Sequence, residues 1–215
     1  MSSAAYYEDL KQLARQLREQ HAITTKTLNL TAVKKIYKAE GIAIDMWKLS
    51  PRIRAVYMCD ENDPSVLINE TLPKEPRLFA MVHELKHHFR DRAILECGQI
   101  PCGDYNANRG IEIGAEVFAA EFIFPEAEFV GVAQQLNLFS KSPITPEDVV
   151  RLKRTADAPV SYQFLRKRLE FFKIVPKGQF AKVKFTVLEE QMFGVPIYKQ
   201  DWFRQRRASR SNRAS

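Results

Sequence analysis

Apolar positions change period along this chain, and each change marks an element. Leu10, Leu13, Ala14 and Leu17 recur at three- and four-residue steps and predict a helix over Tyr6 to Gln20. A second helix is predicted over Leu30 to Glu40. It stops at Gly41, the residue type suited to the left-handed position just past a helix end. Ile42, Ile44 and Met46 then alternate with smaller or polar residues. Arg54 to Cys59 and Ser65 to Asn69 are short β-prone runs joined by the turn signal Glu61-Asn62-Asp63-Pro64. Together these runs predict a small, mainly antiparallel sheet. Helical spacing returns over Arg77 to Arg92, where Leu78, Val82, Leu85 and Phe89 form one apolar stripe. Ile111 to Phe124 is a further, more apolar helix, ended by Pro125. Thr145 and Ser161 are cap residues in front of two more helices, one opening at Pro146 and one over Val160 to Phe172. Phe180 to Leu188 alternates again and predicts a strand or hairpin.

The chemistry concentrates in His83-Glu84-Leu85-Lys86-His87, an H-E-x-x-H. Residues four apart on a helix share a face, so both imidazoles can meet one ion, and they lie off the apolar stripe. The intervening glutamate can take a proton from water as that water attacks a carbonyl, which makes Glu84 a candidate general base. A catalytic zinc site uses three protein ligands and keeps one position open. The third ligand is not a histidine in a metzincin-type continuation, because the chain after His87 reads HFRDRAILECG. The next helix offers Glu112, Glu116 and Glu121. Glu112 and Glu116 share a face, and spacing does not choose between them. His88, one step past His87, points elsewhere, toward solvent or behind the site. Asp91, Glu96, Cys102 and Asp104 lie between the two helices in sequence, within reach of the site.

The segments HELKHHFRD and E-x-G-A-E-V-F-A-A-E-F-I-F-P resemble the ImmA/IrrE family of metallopeptidases. In that pattern the glutamate ligand stands six residues before a phenylalanine. Placed on Phe118, the resemblance implies His83, His87 and Glu112 as zinc ligands and Glu84 as catalytic base, with Glu116 as the alternative third ligand. Two positions depart from the pattern. Lys86 replaces a small glycine, and Gly114 stands where many members carry a second glutamate. The resemblance spans roughly residues 30 to 175. It implies an α+β, minimal zincin-like domain with a small antiparallel sheet, the HExxH helix, a second ligand-bearing helix and a C-terminal helical segment. It also implies limited, selective cleavage of a regulatory protein such as a repressor or antitoxin. The competing reading is a metal-containing regulatory module that binds protein or DNA without proteolysis. Asp157-Ala158-Pro159 between two helices gives residues 141–176 a helix-turn-helix look, with Arg166, Lys167 and Arg168 on the second helix. Packing or protein recognition is the preferred role of that segment.

Composition changes this picture at two points. The net charge of +7 is uneven: from Lys199 onward six basic residues face one acid, and the rest of the chain is close to neutral. The basic tail has few apolar residues to pack, so a disordered end is expected, with nucleic-acid contact possible in principle but not favoured. Cys59, Cys97 and Cys102 are too few for a disulfide framework. No apolar run approaches a membrane span, and no signal-peptide pattern opens the chain, so a cytoplasmic protein is expected. The predicted organisation is an N-terminal helix over 1–25, a zincin-like metallopeptidase domain over 26–140 and the helical segment over 141–176. A β-prone extension over 177–199 and the tail over 200–215 follow.

Overall fold

The computed structural model describes residues 3–60, 63–93 and 109–196. Helix α1 (Ser3–Gln20) buries Leu10, Ala14 and Leu17, the stripe expected from its sequence. Helix α2 (Leu30–Ala39) opens on Asn29, whose side chain accepts the Ala32 N–H at 3.0 Å, and Gly41 follows it at φ +68°. Three strands follow: β1 (Ala43–Trp47), β2 (Ala55–Asp60) and β3 (Asp63–Asn69), in the order β1-β3-β2.

The β2–β3 pair is the expected antiparallel hairpin, with Tyr57 opposite Val66. Strand β1 pairs with the other edge of β3 and runs parallel to it, with Ile44 opposite Val66 and Met46 opposite Ile68. The sheet is therefore mixed. Alternation specifies which face a strand buries and says nothing about its direction. Strand β3 carries the densest apolar run and takes the centre, burying Val66 and Ile68, while β1, with the exposed Asp45, lies at an edge.

Helix α3 (Lys74–Lys86) starts after Pro73 with Pro76 in its first turn, where a missing N–H costs nothing. It packs on the sheet, on α2 and on helix α4 (Arg109–Ile123), and α4 in turn packs along α1. Past Lys86 the chain continues as a π-helical turn over His87–Asp91. The C-terminal end of α4 is closed by side chains: Arg18 donates to the Phe122 carbonyl, and Arg168 to those of Ala120 and Phe124.

Helix α5 (Glu126–Gln135) begins immediately beyond Pro125, with Glu126 and Glu128 in its first turn and Phe129 and Ala133 buried four residues apart. Pro125 reads as a stop but also serves as the residue before a new helix. Helices α6 (Pro146–Ala156) and α7 (Tyr162–Phe171) are joined through Asp157 at φ 47°, and their caps are those expected. Ser161 accepts the Phe164 N–H at 3.2 Å. Thr145 and Asp148 form a capping box.

Asp148 is buried, and burial alone would push its carboxyl up. The ammonium of Lys141 at 2.7 Å and bonds from the N–H and hydroxyl of Thr145 outweigh this and hold it below the usual aspartate range. Asp148→Ala is expected to lower folding stability by about 1–2 kcal/mol near neutral pH. Because the folded-state value is depressed, that contribution is present above the ordinary aspartate value near ~3.9 and is lost as pH falls through the lower folded value. Urea unfolding of both proteins at neutral and strongly acidic pH reads the gap and its closure.

The extension departs from the strand expectation. Helix α8 (Phe185–Phe193) occupies residues predicted as a strand or hairpin, and it packs on α6. Phe185, Leu188 and Met192, at i, i+3 and i+7, turn inward, while Val187, which an alternating strand would place with Phe185, is half exposed. The segment has both periods, and the docking partner selects the helical one. Among the described residues no helix is long and apolar enough to cross a membrane. Cys97, Cys102, Glu96, Asp104 and the tail lie outside the described residues.

Candidate metal centre

Helix α3 presents His83 and His87 one turn apart, with ring centroids 5.1 Å apart, and α4 presents Glu112 from its first turn. His83 Nε2 lies 3.2 Å from Glu112 Oε2, and His87 Nε2 lies 3.7 Å from Glu112 Oε1. One potential ligand atom from each residue falls within 4.8 Å of the others. The three therefore converge on one point from two helices. The donor set suits a metal: two imidazoles and a carboxylate. His87 Nε2 is buried and has no hydrogen-bond partner, and a buried unpaired imidazole nitrogen is costly unless something occupies it.

Among the ligand candidates, His87 is held from behind. His87 Nδ1 meets Asp91 Oδ2 at 2.7 Å, so its other nitrogen is the one turned toward Glu112. Asp91 sits one turn further along and lies behind His87 rather than across the site. Glu84 is buried, and one of its oxygens has no partner. The backbone N–H of Tyr57 on β2 supports its carboxylate. Burial pushes the Glu84 carboxyl up, and Glu112 adds to this, while His83 and His87 oppose it. A carboxylate with raised proton affinity beside a ligand cluster is suited to accepting a proton. Burial also pushes the Glu112 carboxyl up, but the contact with His83 wins and holds it low. The carboxylates outweigh burial at His83 and raise it.

The other acids expected near the site go elsewhere. Glu116 faces α7 and pairs with Lys167 at 3.4 Å. Glu121 is buried at the far end of α4, where it accepts the Glu126 N–H at 3.0 Å and pairs with Arg15. His88 is not solvent-facing: it is buried, with Nδ1 3.1 Å from the Tyr57 hydroxyl. Burial, aided by Arg92, lowers its proton affinity.

Sequence reasoning left Lys86 as an unspecified position of the motif. It is fully buried, with Nζ donating to Asp91 Oδ2 at 2.6 Å and to the Ile111 carbonyl at 3.1 Å. Gly114 also has a spatial reason. A Cβ there would lie 2.8 Å from the Tyr6 hydroxyl and 3.0 Å from Leu10, so a larger residue would displace the Tyr6 and Leu10 side chains of α1. A lysine inside the strongly helical H-E-x-x-H, with an aspartate five residues on, was the available signal for the first.

A family model described as the IrrE N-terminal-like domain, peptidase family M78, matches residues 49–170, more than half of the chain. No curated protein matches the chain at a significant level. Among solved structures, a Mycobacterium tuberculosis transcriptional regulator is similar with a TM-score of 0.53 at 17% sequence identity, over 76% of this chain and 46% of that one. The chain spans about half the length of that regulator, and at this identity the likeness concerns the fold.

Proposed function

Since the chain belongs to the IrrE N-terminal-like domain family of peptidases, we propose that it is a zinc-dependent endopeptidase that cleaves a regulatory protein selectively. The observation that carries this reading is the convergence of His83, His87 and Glu112 beside a buried Glu84 with an unpartnered oxygen. In it His83, His87 and Glu112 hold the ion and Glu84 is the general base. When bound, zinc supplies Lewis acidity toward a carbonyl and toward water. The remaining steps belong to the chain. His83 and Glu112 are the less buried members and form the approach to the cluster, whereas His87 is closed off from solvent. Glu84 accepts a proton from the attacking water and returns it to the leaving amine. The Tyr57 N–H holds that carboxylate in one orientation between the two transfers. Asp91 keeps the His87 ring aimed at Glu112.

The substrate class in this proposal is a repressor-like or antitoxin-like protein, and the compartment is the cytoplasm. A purely structural metal site has no use for a buried base, which favours proteolysis over a binding module that retains the metal. Metal content of purified protein is the direct test. Wild type is expected to hold about one zinc per chain, lost in His83→Ala and in Glu112→Ala. Retention of the ion in Glu112→Ala would overturn the ligand set and move attention to Glu116.

A further inference from the structure

Lys86 is an ammonium with no exposure at all, and burying such a group is expensive unless each donor is used. Its partners are not scattered. One bond goes to Asp91 Oδ2, the same oxygen that His87 Nδ1 meets. The other goes to the carbonyl of Ile111, the residue next to Glu112. The side chain leaves α3 between the two histidines of the motif and touches the support of one ligand candidate and the backbone beside another. On its remaining side it lies 5.9 Å from the centre of the Tyr6 ring on α1. Close approach of Tyr6 is possible because Gly114 offers no side chain at that crossing.

A lysine serving only the core could satisfy its donors with any acceptors within reach of its ammonium. This one ties α3 to α4 at the level of the ligand cluster. We propose that Lys86 is a positioning residue for the metal centre: through Asp91 and the Ile111 carbonyl it sets the His87 imidazole and the Glu112 carboxylate relative to each other. The proposal rests on the reading of His83, His87 and Glu112 as ligands. Helix α1, which lies outside the matched family region, completes the enclosure of the lysine.

The test measures zinc affinity by competition with a chromophoric chelator, together with the visible absorption bands of the cobalt-loaded protein. Both are read on wild type, Lys86→Met, Asp91→Asn and the double variant. Lys86→Met is expected to bind zinc about 10–100-fold more weakly and to shift the cobalt bands, as loss of a supporting partner does at other metal sites. Asp91→Asn should behave similarly. The double variant should lose less than the two single losses combined, because both act on one arm. Unchanged zinc affinity and cobalt bands in Lys86→Met overturn the positioning role, even if the metal-free protein melts earlier. Lys86→Gln, too short to reach both acceptors, is the second variant should Lys86→Met fail to fold, and wild-type affinity there overturns the role equally. Wild type without zinc affinity overturns the ligand reading itself, an outcome distinct from a wild type and a variant that bind alike.

Discussion

Glu84→Gln is expected to keep about one zinc per chain and to lose peptide hydrolysis by about a thousandfold, within the range general-base removal produces. The substitution is nearly isosteric, so the buried pocket stays filled, and the amide retains an oxygen for the Tyr57 N–H. What disappears is the capacity to accept a proton. The reaction is read with a quenched fluorogenic peptide library on metal-loaded wild type and variant, and zinc is counted on the same samples. A variant that has lost both metal and activity would assign Glu84 a role in building the site rather than in proton transfer. A variant with wild-type turnover would remove it from the mechanism. Turnover by wild type and none by the variant, at equal zinc, is also the result that separates a peptidase from a regulator that only binds.

The residues of the candidate site were easier to pick out in the sequence than the strand direction and the last helix around them, and the reason is geometric. His83, Glu84 and His87 lie within five residues on one helix, so local periodicity alone aligns them. Glu112 required more. Spacing left it level with Glu116, because both lie on one face of α4. The structure separates them by their surroundings: Glu112 meets the histidines, and Glu116 meets Lys167. That difference depends on how α3 and α7 flank α4, which no local pattern records. The parallel pairing of β1 was hidden for a similar reason, since alternation is the same for either strand direction. Helix α8 shows the limit in another form. Its residues satisfy a period of two and a period of 3.6, and contact with α6 decides. Lys86 was invisible as a functional candidate because its acceptors are a side chain five residues on and a carbonyl on another helix.

Arg168 carries the largest stability effect expected in the chain. In the sequence it belongs to a run of three basic residues on α7 that invites a nucleic-acid reading. In the structure Lys167 of the run is exposed and pairs with Glu116 at the surface. Arg168 is buried, donates to the carbonyls of Ala120 and Phe124, and pairs with Glu126 at 3.2 Å. Glu121 lies 3.9 Å from it. Burial lowers its proton affinity, while Glu126 and Glu121 act the other way. The guanidinium therefore closes free carbonyls at the end of α4 and balances two acids at the junction of α4 and α5. Arg168→Ala removes one member of a buried charged network and takes a donor from Glu126 and from the carbonyls of Ala120 and Phe124. The expected loss is about 3–5 kcal/mol, against about 0–1 kcal/mol for Lys167→Ala at an exposed pair. Urea unfolding followed by circular dichroism measures both. Equal and small losses would show that the helix end is satisfied without Arg168. The expected disparity would instead identify this residue as the clamp that fastens α7 to the junction of α4 and α5.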